Sequence, residues 1–204
     1  MEKRLNKKRI SGVIFIVVLV IAWISIKFLF ALIEDKPLSM DANNFYPDKY
    51  MVKEFIGGSE NNKFSQIVEN VKHGKVQIRQ IDIITNVVMI YDLSPEYIKL
   101  IFTKEIDKDE LNDDYIDELI PNREDFILKA PIVIGNKWYD ETGGTYEIIK
   151  TDAIVDLPAG KFEAVVVKYK NDEFTVKEYY ARNVGLVKII INNYEVYELK
   201  KISY

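Results

Sequence analysis

Residues Ser11 to Ile33 read Ser-Gly-Val-Ile-Phe-Ile-Val-Val-Leu-Val-Ile-Ala-Trp-Ile-Ser-Ile-Lys-Phe-Leu-Phe-Ala-Leu-Ile. A helix apolar on every side must be buried in a large core or in a bilayer. At about 1.5 Å per residue, Val13–Ile33 would span roughly 31 Å, one hydrocarbon core. Between Val13 and Ile26 the only polar side chain is Ser25. Lys27 lies near the far end, where its stem can carry the charge to the headgroups; at mid-bilayer it would cost about 2.5–3.5 kcal/mol. Lys3, Arg4, Lys7, Lys8 and Arg9 precede the stretch, and Glu34 and Asp35 follow it. The positive-inside rule then keeps the N-terminus cytoplasmic. The expected layout is a basic tail (1–12), a transmembrane signal anchor (13–33), a linker (34–44) and an extracytoplasmic domain (45–204). The competing reading is a cleaved signal peptide with Val13–Ile26 as its apolar region. The sites Leu29/Ala31 and Met40/Ala42 each place one large residue where cleavage wants a small one.

Charge narrows the partners of the outer part. The chain carries −4 overall, yet residues 1–12 carry +4 and Lys27 adds one more, so residues 28–204 carry −9. A nucleic-acid surface needs a basic footprint, so nucleic acid is excluded as a partner. With no cysteine there are no disulfides, thiolate metal sites or thiol nucleophiles. Twenty-nine Ile and 23 Lys against five Arg suggest an AT-rich genome and a low-GC Gram-positive source.

From Met51 onward the pattern is that of β structure. Strands are predicted at Met51–Ile56, Phe64–Val71, Lys75–Asp82, Val87–Tyr91 and Tyr97–Thr103, rich in Val, Ile, Tyr and Phe and bounded by turn residues. A second run follows: Phe126–Ala130, Lys137–Glu141, Thr145–Val155, Lys161–Lys170, Phe174–Tyr180, Leu186–Ile191 and Glu195–Ile202. Within each run the connections are too short for crossover helices, so neighbours must pair antiparallel. Alternation such as Phe162, Ala164 and Val166 against Glu163 and Lys168 implies one buried face and one wet face. A long antiparallel sheet twists and curls. The expected fold is therefore mainly β: a curved, half-barrel-like antiparallel sheet whose concave face is the natural binding surface.

Between the two runs, Glu105–Asp125 holds ten acids in 21 residues. It is expected as a solvent-facing loop or short helix, dispensable for folding, joining the halves 45–104 and 126–204. Its segment Asp107–Glu118 starts like a calcium loop but has Leu111 and Asn112 where an oxygen ligand and a Gly are required, so no metal site is assigned. A shift of 86 residues lays Gly57-Gly58 on Gly143-Gly144, Gly74-Lys75 on Gly160-Lys161 and Leu100 on Leu186. The halves then read as two similar meanders, or as a coincidence of hairpin punctuation.

Catalytic constellations are scarce. His73 is the only histidine and sits in a His-Gly hairpin turn, which leaves no Ser-His-Asp triad and no multi-His zinc site. No glycine-rich phosphate loop occurs. No catalytic residue, cofactor or metal ligand is assigned, and the protein is expected not to be an enzyme. The aromatics Trp138, Tyr146, Tyr179 and Tyr180 are the residues expected to face a ligand, should the concave face be open. Trp138 is otherwise expected in the core.

Three segments carry a resemblance: Leu-Lys-Ala-Pro-Ile-Val-Ile-Gly-Asn-Lys-Trp at 128–138, Leu-Pro-Ala-Gly-Lys-Phe-Glu-Ala-Val-Val-Val at 157–167, and Tyr-Tyr-Ala-Arg-Asn-Val-Gly-Leu-Val-Lys at 179–188. With the opening Phe45-Tyr46-Pro47 they are similar to an uncharacterised family of extracytoplasmic lipoproteins of spore-forming Gram-positive bacteria. The resemblance implies a β-rich curved sheet and an envelope location, and no known catalytic residues. Those lipoproteins usually carry a lipidated Cys, which is absent here. The expected function is that of a non-enzymatic, membrane-anchored domain binding an envelope component, a partner protein or an apolar ligand. The alternatives are a carboxylate enzyme acting on an envelope glycan, or a structural subunit of a membrane complex.

Overall fold

The computed structural model describes residues 40–57, 63–107 and 113–204. The expected anchor, 13–33, lies outside the described residues. Among those described, no helix is long and apolar enough to cross a membrane. Ser39–Tyr204 form one compact unit, and the described strand pairings and apolar clusters all lie within it.

One turn of 3-10 helix, η1 (Ala42–Phe45), leads into twelve strands. They are β1 (Met51–Gly57), β2 (Lys63–Lys72), β3 (Lys75–Ile81), β4 (Asn86–Leu93), β5 (Tyr97–Glu105), β6 (Asp125–Lys129), β7 (Lys137–Tyr139), β8 (Thr145–Leu157), β9 (Gly160–Lys170), β10 (Thr175–Ala181), β11 (Gly185–Ile191) and β12 (Glu195–Ser203). Each expected strand is found within two residues at either end, because alternation and turn chemistry are local signals. His73 and Gly74 take φ of 54° and 72°, and Asn192 and Asn193 of 50° and 66°. The first pair is the two-residue turn between Lys72 and Lys75, and the second opens the three-residue connection between Ile191 and Glu195; left-handed residues there match the twist of the flanking strands.

The sheet order is β6-β5-β4-β3-β2-β1-β12-β11-β10-β9-β8-β7, antiparallel throughout. It is two six-strand meanders joined where β1 pairs with β12. The half-barrel expectation is corrected here: the sheet is a nearly closed barrel. Residues 130–136 carry the chain from one edge, β6, to the other, β7. Trp138 Nε1 donates to the Phe126 carbonyl at 2.9 Å and Asn136 Nδ2 to the Lys129 carbonyl at 2.8 Å, so side chains stitch a seam that no ladder closes.

The 86-residue shift lays β1 to β5 over β7 to β11. Under this correspondence the β6–β7 seam is the counterpart of the β1–β12 junction. The meanders change at 130–136 rather than at Glu105–Asp125. Since β6 pairs with β5, residues 106–124 are an excursion from the first meander.

That excursion is also corrected. Its described acids, Asp107, Asp113, Asp114, Asp117, Glu118 and Glu124, face solvent, but Ile106 and Ile116 are buried against Val88, Ile90 and Ile101 on the outer face of β4 and β5. Gln77 Nε2 donates to the Asp113 carbonyl, and Gln77 Oε1 accepts from Tyr115 N. Lys72 bonds both Asp114 and Asp117. The apolar positions between the acids make this a cover for the sheet.

The main core fills the barrel: Met51, Val68, Ile78, Ile98, Leu128, Trp138, Ile148, Val165 and Val167 among others. Ala42, Phe45 and Tyr46 belong to it, so the folded part begins before Phe45. Ala42 N donates to the Pro95 carbonyl in the β4–β5 turn, and Asn183 N in the β10–β11 turn donates to the Asn44 carbonyl. The η1 turn therefore spans one end of the barrel and plugs it.

Candidate functional site

The other end carries the β3–β4, β7–β8, β9–β10 and β11–β12 turns. There a cavity of ≈ 390 Å³ opens between β2, β3, β11, β12 and the β3–β4 turn, lined by Lys63, Phe64, Gln80, Asp82, Ile83, Ile84, Ile189 and Tyr197. Phe64 sits opposite Phe55 across the β1–β2 pair, with rings stacked at 4.5 Å and 9°, and Tyr197 lies 5.8 Å from Phe64. Alternation puts these rings on the core-facing side of their strands, so the mouth has an aromatic floor. Deeper in, Gln66 Nε2 donates to Gln80 Oε1 at 3.1 Å.

The rim is a built feature. Asp82 Oδ1 accepts from Ile84 N at 2.7 Å and Thr85 N at 2.6 Å, and Asp82 Oδ2 accepts from Thr85 Oγ1 at 2.9 Å. These bonds, the backbone ones from Thr85 and Ile84 foremost, hold the Asp82 carboxyl below its ordinary range. The turn they fix leaves Ile83 78% and Ile84 90% exposed. Neither residue was singled out from the sequence, where the predicted strands end at Asp82 and resume at Val87 and leave both isoleucines in the connection.

A related cavity of ≈ 260 Å³ lies at the seam, lined by Glu124, Asp125, Phe126, Tyr139, Asp140, Glu141 and Tyr146. Trp138 stacks on Tyr146 across the β7–β8 pair at 5.4 Å and 1°, as Phe55 does on Phe64 across β1–β2. Each meander thus presents a stacked aromatic pair across its first two strands, one under an apolar rim and one under an acidic rim, although the 86-residue shift does not lay one pair on the other. Asp140 accepts from Thr142, Gly144 and Tyr169, and the Thr142 hydroxyl foremost keeps its carboxyl ionised at lower pH than usual. Lys99 does the same for Glu124. Both are poor general acids at neutral pH.

Of the four aromatics singled out from sequence, the structure joins Trp138 and Tyr146. Trp138 is buried, and Tyr146 is half-buried beside the seam cavity. Tyr180 is buried deep in the barrel and donates to Glu178 Oε2 at 2.7 Å. Burial raises the pKa of Glu178, and it raises those of Tyr46, Tyr91 and Tyr180 as well. Tyr179, one residue out of phase with Tyr180, is half-buried beside the Phe55–Leu157–Leu199 cluster. None of the four lines the apolar mouth.

Two further buried polar groups stand apart. Lys53 is 1% exposed, and its Nζ donates to the Val184 and Leu186 carbonyls at 3.1 and 3.2 Å. Burial pulls it down to about 7. Arg79 is equally buried and pairs with Glu69 under the excursion. Among the described residues no three His, Cys, Asp or Glu side chains are grouped to hold a metal ion.

Two solved structures share this architecture. One is a candidate lipoprotein from Parabacteroides distasonis, 20% identical, with a TM-score of 0.53 over 80% of this chain and 100% of that one. The other is a candidate exported protein with a YmcC-like fold from Bacteroides fragilis, 14% identical, with a TM-score of 0.53 over 78% of this chain and 99% of that one. The likeness is one of fold. It agrees with a mainly β domain, and it does not support the spore-forming Gram-positive origin that the sequence resemblance implied. No protein-family model matches the chain, and no curated protein does.

Proposed function

We propose that residues 40–204 form an extracytoplasmic binding domain, tethered to the membrane by residues 13–33, that takes an apolar ligand at its open end. The observation that carries this reading is the mouth itself: Phe64, Ile189 and Tyr197 line it, Ile83 and Ile84 flank it, and η1 plugs the opposite end. Binding sites are concave and mostly apolar with a few polar groups, here Gln80, Lys63 and Asp82. The tether follows from the apolar stretch and the basic residues before it. The exported and lipoprotein descriptions of the two structural relatives agree with an extracytoplasmic location. We read the domain as non-catalytic. The seam-cavity acids Asp140 and Glu124 are held ionised, and the carboxyl pushed upward, Glu178, is bonded to Tyr180 within the barrel.

The test is titration of residues 39–204 with N-phenyl-1-naphthylamine, whose fluorescence rises in apolar surroundings. Saturable binding is expected, weakened at least tenfold in Phe64→Asp and little changed in Tyr139→Ser. Equal binding by wild type and Phe64→Asp, with both folded by circular dichroism, would remove the mouth as the site.

A further inference from the structure

We infer, on the reading that the open mouth is the binding site, that its ligand is an apolar amine, with its ammonium group held by the carboxylate of Glu178 and its body on Phe64, Ile189 and Tyr197. Glu178 lies two residues from Tyr180 on β10, so both side chains point into the barrel. Tyr180 Oη donates to Glu178 Oε2 at 2.7 Å. Across the sheet, Glu178 is directly opposite Ile189 on β11, and Ile189 is directly opposite Tyr197 on β12. Side chains paired in this way share a face, with Cβ atoms about 4.5–5.5 Å apart. Ile189 and Tyr197 line the mouth, so the carboxyl stands one side chain beyond its wall, towards the barrel interior.

Glu178 lacks a cation. Among the described residues, no Lys, Arg or His forms an ion pair with it. Lys53, the other charged side chain inside the barrel, is bonded to the Val184 and Leu186 carbonyls. An ionised carboxylate out of water without a partner is costly, and burial raises the pKa of Glu178 accordingly. Burial foremost, with the charge of Glu178 contributing, raises those of Tyr46, Tyr91, Tyr146 and Tyr180. Phenol rings around a carboxylate also suit a cation, through the negative faces of the rings. Glu178 is half-buried, and on the inner face its remaining surface opens to the lumen. Gln66 Oε1, beside Gln80, likewise has no donor among the described residues, but it is sealed from the cavity. At the rim, ionised Asp82 offsets Lys63, so the entrance does not repel a cation. A ligand carboxylate would meet Glu178 as a like charge, and an alcohol would bring a hydrogen bond without charge. An ammonium group brings both the donor and the missing charge.

The experiment is isothermal titration calorimetry of residues 39–204, the compact unit that holds the described strand pairings, with octylamine, octanol and octanoate at neutral pH. A hydrogen bond to a charged group is worth enough to make octylamine at least tenfold tighter than octanol, with octanoate the weakest. Glu178→Gln keeps the shape of the side chain and an acceptor for Tyr180. It should erase the preference for octylamine and leave the affinities for octanol and N-phenyl-1-naphthylamine unchanged. The comparison of the three ligands in wild type needs no variant, so it decides the matter even where Glu178→Gln folds poorly. Equal affinity of wild type for octylamine and octanol overturns the inference, as does a preference for octylamine that survives in folded Glu178→Gln. Failure of the mouth as the site shows separately, as unchanged dye binding in Phe64→Asp.

Discussion

Gly185 shows at the residue scale how one position carries both backbone and packing constraints. Its φ is +75°, and an added Cβ would lie 3.0 Å from Pro47 Cδ. Gly143 has φ +88° with nothing within 4 Å of the same virtual atom. Gly143→Ala should therefore cost the backbone penalty alone, about 1–2 kcal/mol, and Gly185→Ala distinctly more; urea midpoints of the two variants compare them directly. Lys53 makes a prediction about pH. Its folded value is about 7, against roughly 10.4 in an unfolded chain. Between these the unfolded state holds more protons, so stability rises with pH from about 7 to 10. The buried tyrosines Tyr46 and Tyr180 are pushed above their ordinary value, which opposes the trend only above about pH 10. Urea midpoints at pH 7 and 9.5 should show the rise in wild type and its loss in Lys53→Met. An unchanged slope in the variant would mean that another group carries it.

At the scale of elements, the acidic excursion holds the main lesson. Counting its charges predicts a solvated loop, since carboxylates cannot be buried without partners. The described carboxylates do stay outside, but Ile106, Tyr115, Ile116 and Leu119 stand among them, and Ile116 finds a place over Val88, Ile90 and Ile101. Ile116→Ala should cost about 2–4 kcal/mol. Ile120→Ala, on a residue 80% exposed, should stay within about 0.5 kcal/mol. Thermal melts of the two variants separate a cover from a solvated loop, and equal small shifts would restore the loop reading. Replacing Asp113–Leu119 with Gly and Ser should likewise destabilise the barrel. Strand positions were legible because a period of two and a turn between strands are written locally. The cover was not, because the face that Ile116 covers belongs to strands up to 28 residues away in sequence.

On the scale of the whole molecule, the seam and its counterpart offer a comparison within one chain. β1 and β12 are paired along most of their length, whereas β6 and β7 are bridged by side chains from Trp138 and Asn136. Amide hydrogens of β6 and β7 should exchange faster than those of β1 and β12. Trp138→Phe, which keeps an aromatic ring but removes the Nε1 donor, should speed exchange at the seam more than at the junction; uniform acceleration would make Trp138 a packing residue only. The sequence by itself determined the apolar stretch 13–33, the twelve strands and, apart from β6 and β7, which do not pair, the antiparallel pairing of neighbours within each run. These follow from hydropathy, side-chain period and turn chemistry, each of which acts within about ten residues of chain. Only the tertiary structure decided that β12 returns to β1, that η1 plugs one end, that Ile116 covers the sheet, and that Phe64, Tyr197 and Ile83-Ile84 meet at one mouth. Those outcomes depend on how far the sheet curls, and that is fixed by the packing of residues distant in sequence.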